Sequence, residues 1–104
     1  MTRPITPEEL PERRREQIPD VVFEVINTLI VEKWEGHRAV LHQHDIVKRV
    51  CDESGMTASE IFDNHYLDVE YLYEDAGWFV RYEKPAYNET FKAFFEFTKK
   101  REQH

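Results

Sequence analysis

The chain has one cysteine, three glycines and no long apolar run, and each scarcity removes a class of protein. A lone thiol, Cys51, cannot form an intrachain disulfide and fits a reducing compartment. Gly36, Gly55 and Gly77 stand apart, each at the expected end of a helix, so no glycine-rich loop exists to cradle a phosphate. The first nine residues lack the apolar stretch of a signal peptide. The most apolar segment, Val21 to Val31, is interrupted by Glu24, Asn27 and Thr28 and is too short to span a bilayer. A cytoplasmic protein with no membrane contact is the expectation.

Basic residues are in deficit, with 14 Lys and Arg against 21 Asp and Glu and a formal charge of −7. That balance opposes non-specific attraction to nucleic acid or to an anionic membrane, so any such binding has to come from a local patch. Catalytic signatures are missing as well: there is no nucleophile elbow, no HExxH pair and no evident triad. His42, His44 and His65 lack the recurring spacing of zinc ligands. Cys51 shares a helical face with Ile46, Val47 and Val50, which makes it a small core residue and not a nucleophile. Neither a cofactor nor a metal nor a catalytic residue is expected.

Aromatic side chains are plentiful, at 13% of the chain. Together with a 40% apolar content over 104 residues, they suffice for one domain with a real core. Residues 1–18 form an N-terminal arm, in which Thr6, Pro7 and Glu9 spell a capping box and Pro11 interrupts the turn. Arg13, Arg14 and Arg15 come next, offset by Glu8, Glu9, Glu12 and Glu16.

From Pro19 the pattern is helical: Val22, Val25, Ile26, Leu29 and Ile30 make a broad buried stripe that Gly36 should close. Residues 39–41 suit a short strand able to pair with a later hairpin. A second helix carries Ile46, Val47, Val50 and Cys51 and stops at Gly55. Thr57 and Glu60 then open a third, over 57–76, with a kink or brief break at 63–65. This helix is lopsided in charge: Glu60, Asp63, Asp68, Glu70, Glu74 and Asp75 face no lysine or arginine within it.

Two strands complete the pattern. Trp78, Val80 and Tyr82 share one face of the first, over 78–84, and Phe91, Ala93, Phe95 and Phe97 share one face of the second, over 91–98. Phe79 and Phe94 fall on the opposite faces. The turn-prone residues 85–90 link the two strands, and residues 99–104 form a basic tail.

The expected fold is therefore α+β: a three-helix core with a C-terminal two-stranded β-hairpin and a short third strand at 39–41. This order of elements, over residues 19–98, resembles a winged-helix domain, a helix-turn-helix variant in which the hairpin is the wing. Two stretches, residues 18–27 and 76–89, also resemble segments of small uncharacterised proteins of tailed bacteriophages, which would put the protein in an infected bacterial cytoplasm.

The winged-helix resemblance implies DNA binding, ordinarily through the third helix. Six carboxylates and no base make that helix a poor groove reader, because DNA phosphates repel it. Residues 77–104 carry six bases and four acids, so the wing and the basic end are the better candidates. Candidate contacts there are Arg81, Lys84, Lys92, Lys99, Lys100 and Arg101, with Tyr82, Tyr87 and Phe94 as stacking surfaces. The competing expectation is a basic protein partner, or occupation of a nucleic-acid-binding protein by mimicry of DNA. That partner would be held by Asp68, Glu70, Glu74 and Asp75 with tyrosine anchors, Tyr71 foremost beside Tyr66 and Tyr73.

Overall fold

The apolar stripe that begins at Val22 does become a helix, and its length is set by the tight turn beyond its last residue. In a computed structural model, which describes residues 17–99, helix α1 spans Asp20–Lys33 and buries Val22, Val25, Ile26, Leu29 and Ile30. The helix stops at Lys33 and does not reach Gly36: Trp34 is already extended and bridges to Ala39, and the Glu35 N–H donates to the Arg38 carbonyl at 2.8 Å. Gly36, with φ 95°, sits inside that turn, where a left-handed residue lets the chain reverse directly into a strand. Ile18, at the boundary of the arm, is buried in the core.

Strand β1 spans Arg38–His42 and runs without a break into α2, Gln43–Ser54. Ile46 and Val50 are buried on α2, Val47 and Cys51 pack against the same core, and Gly55 caps the helix in the left-handed region. Thr57 then starts α3, Ala58–Asp63. Its hydroxyl accepts the Glu60 N–H at 3.1 Å and donates to the Glu60 carboxylate at 3.3 Å, a local pair that holds the first turn.

The helix expected over 57–76, with its kink or brief break at 63–65, is divided there into two helices, α3 and α4, the latter Glu70–Asp75. The first ends in a Schellman closure: the Tyr66 N–H donates to the Ile61 carbonyl and the His65 N–H to the Phe62 carbonyl, both at 3.1 Å. His65 takes the left-handed position, at φ 57°, where glycine is usual. Leu67 and Val69, two residues apart, then both turn into the core, a spacing a continuous helix cannot give. Burying them favours the break.

Gly77 leads into β2, Trp78–Glu83, and the chain returns in β3, Phe94–Lys99. The return strand begins three residues later than expected, so Phe91 and Lys92 belong to the connecting loop and Phe91 is exposed. The described residues thus form an α+β domain of four helices and a three-stranded antiparallel sheet in the order β1-β3-β2. The register stacks Ala39, Phe97 and Val80 in one row and Leu41, Phe95 and Tyr82 in the next. Small Ala39 makes room for Phe97, and both are fully buried. The helices cover this face. Trp78 and Tyr73 meet Phe97 edge-on, and Trp34 meets Trp78 at 5.7 Å. The other face of the sheet carries Arg38, Thr98 and Phe79 in one row and Val40, Glu96 and Arg81 in the next. Among the described residues no helix is long and apolar enough to cross a membrane.

Candidate functional site

The ten residues between β2 and β3 carry three of the sequence-derived contact residues, Lys84, Tyr87 and Lys92, all exposed. The loop's own order comes from a turn closed by the Glu89 N–H on the Ala86 carbonyl at 3.0 Å, with the Glu89 carboxylate accepting the Ala86 N–H at 3.3 Å. Lys84 and Lys92 form no ion pair among the described residues. Lys99 is exposed at the end of β3, while Lys100 and Arg101 lie outside the described residues.

Arg81 is in a different state. Alternation on β2 places it on the outer face of the sheet, where its guanidinium lies 3.7 Å from Glu96 and 3.8 Å from Glu83. Glu96 also accepts a hydrogen bond from Arg38 at 3.0 Å. With its side chain only 17% exposed, Glu96 is the central acid between two arginines on the two outer strands. The pairing is felt on Arg38, whose pKa is raised by hydrogen bonds to Glu35 and then to Glu96. Arg38 and Glu96 were not singled out from the sequence. The two-residue alternation would have put Glu96 on the outer face, but its partners emerge only from the β1-β3-β2 order.

The aromatic residues divide as well. Tyr87 is fully exposed, whereas Phe94 is half-buried with its ring against His42 and Phe91. Tyr82 lies over Phe95 at 4.7 Å, and its hydroxyl donates to the Gln43 side chain at the start of α2. Its phenol pKa is pushed up, first by burial and then by the negative charge of Glu70.

On the acidic side, Asp68 sits in the turn between α3 and α4, 3.7 Å from His65, while Glu70, Tyr71, Glu74 and Asp75 belong to α4. The break between α3 and α4 therefore gathers four of the six carboxylates around one short helix. Tyr73 is not an exposed anchor. It is buried, its ring packs on Phe23 and Phe97, and its hydroxyl donates to Asn27 at 2.7 Å, because its helical position points it at α1. Tyr66 and Tyr71 are half-buried, and the Tyr71 hydroxyl is enclosed with no hydrogen-bond partner among the described residues.

Among the described residues, two depressions bear on these candidates. One, of about 400 Å³ between α1 and α2, mixes charges of both signs, with Arg49 bonded to Glu32 at 3.0 Å. The other, of about 550 Å³, lies between α2, α3 and the β2–β3 loop and is walled by Phe62, Tyr82 and Phe91. Phe62 comes directly after buried Ile61 in sequence yet faces outward. Among the described residues the nucleophile-bearing side chains are otherwise engaged. The Ser54 hydroxyl is taken up by the backbone around the end of α2, Cys51 is half-buried against the core, and no cluster of three metal-ligating side chains occurs among the described residues. Compared with known proteins, the chain matches no family model, no curated protein and no solved structure.

Proposed function

We propose that the protein is a non-enzymatic regulatory module of winged-helix type that associates with DNA through its β2–β3 loop and basic C-terminal end. The strand order β1-β3-β2, with α2 and the divided third helix between β1 and β2, supports the winged-helix reading. The observation that carries the DNA reading is the loop itself. Lys84 and Lys92 are exposed with no acid partner among the described residues, and Tyr87 projects fully beside them. Ammonium groups in that state can meet phosphates without first giving up an ion pair. Lys99, Lys100 and Arg101 extend the patch along the sequence. Arg81 contributes less, since Glu83 and Glu96 already offset it. The third helix is an unfavourable reader on two counts: it is acidic, and it is divided into six-residue pieces. On the resemblance to tailed-phage proteins, we place this activity in the cytoplasm of an infected bacterium.

Fluorescence anisotropy with a labelled duplex, titrated with salt, tests the reading. Lys84→Ala and Lys92→Ala should each lower affinity and reduce the slope of log K against log salt by about one, while Glu70→Ala leaves both unchanged. An absence of measurable affinity at low salt would sink it.

The gathering of Asp68, Glu70, Glu74 and Asp75 around α4 favours a second reading, a basic protein partner held there, with mimicry of DNA as its extreme form. In that case pull-down from bacterial lysate should recover a basic protein that neutralisation of Asp68, Glu70 and Glu74 releases. Recovery unaffected by those changes counts against it.

A further inference from the structure

Of the exposed large apolar side chains, three share one depression: Phe62 at 46%, Tyr82 at 38% and Phe91 at 38% exposure. They come from α3, from β2 and from the approach to β3, and Val47 of α2, Pro85 and Ala93 complete the walls. The depression is open, with a volume of about 550 Å³. Scattered apolar residues on a surface are ordinary, but three around one concave site offer a seat for a single apolar side chain.

The polar lining identifies the occupant. In a chain with 21 acidic residues, none of the lining residues is acidic; the polar ones are Gln43, His44 and Lys92. Lys92 has no ion pair among the described residues. Gln43 and His44 open α2, a helix of twelve residues whose N-cap residue, His42, makes no side-chain cap. The Gln43 N–H is already bonded to the Ala93 carbonyl at 3.0 Å and Asp45 offsets the helix end, so the positive charge the groove presents is that of Lys92. Asp45, the acid in the first turn, lines the other depression, on the α1 side. Glu70 is the carboxylate that acts on the Tyr82 phenol. Duplex or single-stranded nucleic acid fits poorly, because it brings several phosphates to a lining with one ammonium, and because Tyr82 and Phe91 already engage Phe95 and Phe94.

We propose that this groove binds a short acidic peptide segment of a protein partner, with one apolar side chain seated between Phe62, Tyr82 and Phe91 and a neighbouring carboxylate at Lys92. The seated side chain is the anchor, and the carboxylate sets its direction. This site is separate from the acidic face around α4 but shares Lys92 with the loop proposed to meet DNA, so peptide and duplex should compete for that residue, whereas Phe62→Ser should weaken the peptide and leave duplex affinity unchanged.

The full chain is used to select from a displayed random dodecapeptide library, and an enriched peptide is titrated by fluorescence polarisation. The expected consensus pairs Asp or Glu with Leu, Phe or Trp. Phe62→Ser and Lys92→Glu should each weaken the selected peptide at least about tenfold, a change of about 1.4 kcal/mol, whereas Glu24→Gln on the solvent side of α1 leaves it unchanged. Phe62 and Lys92 are exposed, so circular dichroism should show both variants folded; Phe91→Ser is the substitute if one is not. An oligothymidylate of twelve nucleotides is run in parallel. The proposal is overturned if no consensus emerges, if the consensus lacks acids, if the groove variants bind the peptide as well as the wild type, or if the oligonucleotide alone occupies the groove.

Discussion

Removing the same atom from two tyrosines two residues apart on α4 should shift stability in opposite directions. Tyr73 donates its hydroxyl to Asn27 across to α1 at 2.7 Å, whereas the Tyr71 hydroxyl is enclosed and makes no hydrogen bond among the described residues. Tyr73→Phe loses one satisfied bond, and the exposed Asn27 left behind can turn to water, so the loss should be about 1 kcal/mol. Tyr71→Phe removes a group that gave up water on folding and gained nothing in return. The desolvation penalty of such a group is about 1–3 kcal/mol, so the variant should gain about 1–2 kcal/mol. The two variants should then differ by roughly 2–3 kcal/mol in urea unfolding monitored by circular dichroism, with unchanged m-values. At about 4–8 °C per kcal/mol for a domain of this size, their Tm values should separate by around 10 °C or more. Loss of stability in Tyr71→Phe comparable to that in Tyr73→Phe would refute the assignment of an unpaired hydroxyl. A changed m-value would instead mean that the substitution altered the unfolded or native ensemble as a whole.

Other perturbations probe the sheet and its two faces. Glu96→Gln takes away the acid shared by Arg38 and Arg81, and should steepen the salt dependence of DNA binding by about one unit as Arg81 becomes available to phosphate; an unchanged slope would mean that Arg81 never reaches the duplex. Phe97→Ala opens a hole at the centre of the core and should cost about 3–5 kcal/mol by chemical denaturation, enough to leave a marginal domain largely unfolded; a cost below about 1 kcal/mol would contradict the buried position. The raised Tyr82 pKa makes the neutral phenol the form the fold prefers. Its contribution is fully present below the ordinary tyrosine pKa and is lost as pH rises through the raised folded value, so Tyr82→Phe should flatten the alkaline fall in stability measured by urea melts above about pH 10. His65→Val puts a β-branched residue at positive φ and should be about 1–2 kcal/mol less stable than His65→Gly; equal melting temperatures would argue against the left-handed turn.

The parts of the fold set by periodicity could be read from the residues. The stripe of α1, the capping pair Thr57 and Glu60, and the alternating faces of β2 and β3 are all local patterns, and all three appear in the structure. The errors fell where a local pattern met a tertiary demand. The break expected at 63–65 is present, but it extends to Val69, because Leu67 and Val69 are both buried in the core, a demand the local pattern does not carry. Phe91 keeps the parity of Ala93, Phe95 and Phe97, but parity does not say where pairing ends, so its place in the loop was not legible. The surface suffered in the same way. Lys84, Tyr87 and Lys92 could be assigned to the wing from their positions, yet the offsetting of Arg81 and the grouping of Phe62 with Tyr82 and Phe91 depend on contacts between separate elements.

The central strand of the sheet is also the last of the three in the chain. During synthesis β1 and β2 emerge with no partner to pair with, and neither can be completed until residues 94–99 have cleared the ribosome. The Arg38–Glu96 bond alone joins positions 58 apart, so forming the sheet means closing a long loop before any ladder bond rewards it. Folding should accordingly wait on β3 and then proceed in one step, and cleavage within the β2–β3 loop would remove the one strand that both of the others require.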